Sequence, residues 1–90
     1  MPLRPLRTKQ FERDIKRCQK RGKNMEKLKT LIVLLLEEQP LPIHYHDHPL
    51  GGDWQDWRDA HIEPDWLLLY RVDDGALILS RTGSHADLFG

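Results

Sequence analysis

The stretch DWLLLYRVDDGALILSRT, residues 65–82, limits the possible folds more than any other part of the chain. Two apolar runs, 65–72 and 76–82, flank Asp73-Asp74-Gly75, residue types that accept the positive φ of a tight hairpin turn. Antiparallel neighbours are expected, and DWQDWRDAHI (53–62), rich in aromatic and aliphatic residues, adds a third strand. Upstream the period changes to that of a helix. From Thr8, a fitting N-cap, Phe11, Ile15 and Cys18 recur at i, i+4 and i+7, and Gly22 supplies a stop. Asn24 caps a second helix in which Met25, Leu28, Leu31, Ile32, Leu35 and Leu36 share a face until EEQPLP ends it at Pro40. LRPLR (3–7) suits a short strand, restricted to a sheet edge or bulge because Pro5 has no amide hydrogen. Helices apolar on one side need a sheet to cover. The fold class expected is therefore α+β, an N-terminal helical hairpin packed on one face of a small three- to four-stranded antiparallel sheet.

Ninety residues support one core, so residues 1–90 read as a single domain whose active site must lie near the surface. The one cysteine, Cys18, permits no internal disulfide and fits a reducing compartment, with the cytoplasm as the expected location. The longest apolar run, LIVLLL (31–36), falls far short of the roughly 20 residues that span a bilayer, and no apolar export signal follows the first arginines. Net charge is zero, but it is unevenly spread. Residues 1–30 carry eleven Lys/Arg against three Asp/Glu and residues 31–90 three against eleven, a split of +8 and −8. The basic third suits contact with nucleic acid, and equally a solvated helix face.

HYHDHPLGG (44–52) lies in a long loop, 39–52, and long loops in compact domains are often functional. Extended backbone would put His44, His46 and His48 on one face, where three imidazoles and a water can in principle hold zinc. The string differs by one residue from the H-x-H-x-D-H metal motif, and no cysteine lies near, so no physiological metal or other cofactor is expected.

DHPLGG, WRDAHIEPDWLLLYR and RTGSHADLFG together resemble the YafQ toxins, a branch of the RelE/ParE superfamily of bacterial toxin–antitoxin systems. The similarity starts weakly at FERDIKRCQKRGKNMEKLK and continues to the C-terminus. It implies a RelE-like fold and a ribosome-dependent endoribonuclease that cuts mRNA in the ribosomal A site. It also implies a DinJ-like antitoxin that silences the toxin, the complex binding operator DNA. The family's functional positions fall on His48, Asp59, His61, Asp65, His85 and Phe89; His44 and His46 are not among them.

The chemistry suits those residue types. RNA cleavage needs a base for the 2′-hydroxyl, an acid for the departing 5′-oxygen and positive charge near the phosphorane. Histidine serves as either acid or base near neutrality. His85 is the expected general acid and His48 or His61 the base, with Asp65 orienting an imidazole and favouring its charged form. Arg81 is the expected phosphate ligand, Phe89 a platform for a splayed base, and Trp66, next to Asp65, a wall of the site.

Each residue also has a plain structural role open to it. The histidines can be loop or strand-end residues, Asp59 and Asp65 turn or capping residues, Arg81 half of an ion pair, and Phe89 a tail anchor. Trp54, Trp57 and Trp66 can simply pack. Two rival functions follow: a non-enzymatic ParE-like toxin that poisons gyrase by binding, and a histidine-rich metal-binding module. Members of the superfamily are commonly basic, whereas this chain is neutral, which weakens the expectation of tight binding to free RNA.

Overall fold

The computed structural model describes residues 2–90. In chain order they form β1 (Arg4–Arg7), α1 (Lys9–Lys20), α2 (Met25–Leu36), β2 (His48–Pro49), β3 (Arg58–Glu63), β4 (Trp66–Asp73), β5 (Ala76–Gly83) and α3 (His85–Phe89). Single 3₁₀ turns occupy Ile43–Tyr45 and Gly52–Trp54. Local chemistry fixes the helix ends. Thr8 Oγ1 accepts the Phe11 amide at 3.0 Å, and Asn24 Oδ1 accepts that of Glu26 at 3.1 Å. Gly22 adopts a φ of 75° just past α1. The second helix stops at Leu36, earlier than Pro40 alone would require, and Glu38 turns left-handed with a φ of 55°. Two adjacent carboxylates at the negative end of the helix dipole oppose another turn, and Pro40 disfavours helical backbone at Gln39.

Alternation along β4 divides the molecule. Trp66, Leu68 and Tyr70 join Ala60, Ile62, Leu77 and Leu79 in one core with Phe11, Cys18, Leu28, Leu31 and Leu35 of α1 and α2. Leu67 and Leu69 form a second, smaller cluster with Leu88 of α3, flanked by Leu50 and Trp54. Burial on both faces accounts for the unbroken LLLY run.

The α+β class and the helices covering a sheet agree with the sequence, but the sheet is larger than expected and mixed. Its order is β1-β5-β4-β3-β2, and β1 runs parallel to β5, with Arg4 opposite Ala76 and Arg7 opposite Leu79. Nothing local in a four-residue strand tells which distant strand it will join. Pro5 is tolerated because β1 is an edge. Where Leu69 faces Arg81 but Tyr70 faces Leu79, Ser80 is an extra residue, a bulge near the end of β5. Among the described residues, no helix is long and apolar enough to cross a membrane.

Candidate active site

The strand pairing gathers the histidines on the sheet face away from α1 and α2. On β3, Asp59 and His61 alternate with the core residues Ala60 and Ile62, and β2 places His48 opposite Asp59. The first residue of α3 is His85. Their rings form a row: the His61 centroid lies 6.0 Å from that of His48 and 5.8 Å from those of His46 and His85. From His85 the row continues to Phe89 at 6.5 Å and on to Trp54 at a further 6.1 Å. Residues 37 apart in sequence thus meet through one β-ladder and one helix start.

Two tautomers follow from the contacts. Asp65 Oδ1 lies 2.9 Å from the His85 amide nitrogen and 2.6 Å from its Nδ1. Those bonds, from the main chain and then the ring of His85, hold the Asp65 carboxyl below its ordinary range. An ionised carboxylate only accepts, so Nδ1 donates and Nε2 is left to exchange protons. His48 Nδ1 likewise lies 2.7 Å from the carbonyl of His46, which only accepts, and its Nε2 points 3.9 Å from Asp59 Oδ2. Asp59 also faces His61, Oδ1 to Nδ1 at 3.8 Å, and both of those atoms are buried without a hydrogen-bond partner. An unpartnered buried pair is costly to keep and leaves both groups able to bond an incoming ligand.

Outer residues hold this arrangement in place. Asp47 receives a bond from the Tyr70 hydroxyl at 2.6 Å and two from Arg58 at 3.3 and 3.1 Å, which pins the loop between His46 and His48. Burial, and then the Asp47 carboxylate, push the Tyr70 phenol well above its usual range, so it stays a donor. At α3, Ser84 Oγ accepts the Asp87 amide while Asp87 Oδ2 accepts the Ser84 amide, a capping box. Arg21, just past the end of α1, grips the same carboxylate at 2.6 and 3.1 Å and holds it far below the carboxylate range. Gly83 completes the fit, because a Cβ there would lie 2.8 Å from Asp87 Oδ2 and 3.1 Å from Arg17 Nη2. Gly83→Ala is expected to displace the cap and cost about 1–3 kcal/mol, read as a lower urea midpoint with an unchanged slope.

Asp59, His48, His61, Asp65, His85 and Phe89 therefore come together as anticipated. Two supporting residues do not. Arg81, anticipated as a phosphate ligand, gives Nε and Nη2 to Asp14 of α1 at 2.8 and 3.1 Å, because a fully buried carboxylate there demands a cation. Trp66, anticipated as a wall of the site, is 1% exposed in the main core on the far side of the sheet, with its indole N–H on Thr82 Oγ1. Its neighbour Asp65 stands in the exposed turn before β4, whereas Trp66 is the first residue of that strand and faces the main core. Sequence reasoning also overlooked Asp47, Asp87 and the aromatic contact of Trp54. Only Asp87 had a local signal, the S-x-x-D capping pattern at 84–87.

Among the described residues, no group of three or more His, Cys, Asp or Glu side chains converges as metal ligands do. The rings of His46, His48 and His85 lie 5.8–6.0 Å from that of His61.

Comparison with known proteins places the chain in a family. Residues 3–90 match the family described as bacterial toxin of type II toxin–antitoxin system, YafQ. The mRNA interferase toxin YafQ of Escherichia coli K12 is 54% identical over 82 residues, 90% of this chain and 89% of that protein. The fold superposes on the toxin in the E. coli DinJ-YafQ toxin–antitoxin complex with a TM-score of 0.92 at 48% identity, covering 100% of both chains. A metal-bound toxin from Helicobacter pylori gives a TM-score of 0.91 at 39% identity, covering 97% of this chain and 99% of that one. With the matched region spanning nearly the whole chain, this protein belongs to the YafQ family of type II toxins.

Proposed function

We propose that this toxin is an endoribonuclease that cleaves mRNA in the ribosomal A site by histidine acid–base chemistry without need of a metal. The observation that carries the reading is the row of imidazoles with two fixed tautomers, His48 and His85 both keeping Nε2 free. The name of the E. coli relative, an mRNA interferase, supports the same substrate class. His48 Nε2 takes the proton of the 2′-hydroxyl, whose oxygen attacks the adjacent phosphorus. As the new O2′–P bond forms, the P–O5′ bond breaks, and His85, acting as the imidazolium with its Nδ1–H held on Asp65, gives its Nε2 proton to the departing 5′-oxygen. The products are a 2′,3′-cyclic phosphate and a 5′-hydroxyl. His61, between them and backed by Asp59, faces the charge that builds on the phosphorane.

The side chains of His48 and His85 are about half exposed, so the site is open. An open site on a neutral protein gains little from free RNA and suits a substrate held by a larger partner. Arg7, Lys9, Arg13 and Lys16 line a cleft of about 480 Å³ along α1, and this basic surface is the proposed contact with ribosomal RNA. A DinJ-like antitoxin is the proposed inhibitor, and the toxin–antitoxin complex, not the toxin alone, the proposed operator-binding species.

Mapping of mRNA 5′ ends with purified toxin and programmed ribosomes tests the reading. New 5′-hydroxyl ends within the A-site codon, absent from free RNA, are expected. Intact mRNA with a toxin that still arrests growth would sink the nuclease and favour a toxin that acts by binding.

A further inference from the structure

Two histidines of the loop, His44 and His46, have no part in the reaction above, yet both border a cleft of about 480 Å³. Its other walls are His61, Ile62, Glu63 and Pro64. The cleft therefore opens directly from the central imidazole, and neither His85 nor Phe89 lines it. From His61, one route along the ring row leads through His85 to Phe89 and Trp54; another leads through His46 into this cleft.

The local backbone is built to present His46. It takes a left-handed conformation, φ 47° and ψ 39°, with its amide on the Ile43 carbonyl and its own carbonyl on His48 Nδ1. Its ring then meets His61 edge-on, at 86°. The His44 ring is tilted over Tyr45 at 4.3 Å, and Tyr45 is buried. Ile62 and Pro64 give an apolar floor. The one carboxylate on the wall, Glu63, is held by Lys23 and Lys27 at 3.2 and 3.0 Å, so it does not repel a ligand that carries phosphate. Imidazole faces, an apolar floor and no lining Lys or Arg suit a planar nucleobase better than a phosphate.

Resting on the nuclease reading of the histidine row, we infer that the cleft between His44, His46 and His61 is a subsite for the nucleobase of a nucleotide flanking the scissile phosphate, with His46 setting base preference. The scissile phosphate sits at His61, and the bases on its two sides go to different places, one toward Phe89 and the other into the cleft.

The test uses His46→Asn. Asparagine accepts left-handed backbone and leaves the carbonyl that orients His48, while the ring is lost. Cleavage of ribosomes programmed with a library of A-site codons is compared for wild type, His46→Asn and His44→Ala. For His46→Asn, KM about tenfold higher, kcat within about twofold and a flattened preference at one codon position are expected, in keeping with the loss of one stacked base. His44→Ala is expected to weaken the same position less. An unchanged KM and codon profile, or a lower kcat with the profile intact, would overturn the subsite. Should wild type cleave no programmed ribosome, the nuclease reading fails by itself, and histidine ring NMR signals titrated with the sixteen 2′-O-methyl dinucleotides decide the cleft independently. Base-dependent shifts of the His44 and His46 rings support it; their absence refutes it.

Discussion

His85→Ala is expected to slow cleavage of programmed ribosomes by about 10²- to 10⁴-fold while leaving the thermal midpoint essentially unchanged. The side chain is 54% exposed, so its removal opens no cavity. What disappears is the ring whose Nδ1 is clasped by Asp65, and with it the Nε2 proton that the proposed mechanism assigns to the leaving oxygen. Asp65→Ala is expected to fall between wild type and His85→Ala, because the ring keeps its nitrogen but loses the acceptor that fixes its tautomer and its main chain. Single-turnover rates at saturating toxin separate the two variants from a binding defect. A loss of less than about threefold for His85→Ala would move the acid to another residue.

Asp14→Ala should have the largest effect on stability, about 3–5 kcal/mol, equivalent to a thermal midpoint lower by roughly 12 °C or more in a domain of this size. Asp14 is 0% exposed and accepts from Arg81 at 2.8 and 3.1 Å, Arg17 at 2.7 Å, Gln10 at 3.1 Å and the Thr82 amide at 3.1 Å. Removing the carboxylate strands the Thr82 amide and leaves Arg81, only 22% exposed, without its counter-ion. Burial pushes the Asp14 carboxyl up, but hydrogen bonds from Arg81, Gln10 and Thr82 more than offset it, so the group lies below its ordinary value of 3.8. A depressed carboxyl contributes stability that is present above the unfolded-state value and lost as pH falls through the folded one. The difference in urea midpoint between wild type and Asp14→Asn is accordingly expected to hold from neutrality to about pH 4 and to narrow below it. A gap that stays constant down to pH 2 would mean that the ionised form is not what stabilises.

What could be read from sequence follows a physical line. Thr8, Gly22 and Asn24 act on backbone within three residues, and the Asp74–Gly75 turn joins strands that touch it, so their signals are local and legible. The parallel pairing of β1 with β5 and the Asp14–Arg81 bond link positions at opposite ends of the chain, and neither residue type records its partner. Arg81 looked free to meet phosphate because a lone arginine near a histidine carries no mark of a buried aspartate on another element. Trp66 was misplaced because the turn that exposes Asp65 ends one residue before it, where β4 and the core begin. The gathering of His48, Asp59, His61, Asp65 and His85 was legible only through family resemblance, since their spacing alone suggests no common face.

The strand order also sets when the site can exist. β5 lies between β1 and β4, so β1 has no partner until β5 has been made. His85 follows β5 and depends on α3, the last helix formed. A nascent chain still missing these residues has α1, α2 and the β3–β4 pair but neither a complete sheet nor His85. Pairing of segments so far apart in the chain delays assembly, so the histidine row is completed only after β5 and α3 have been made.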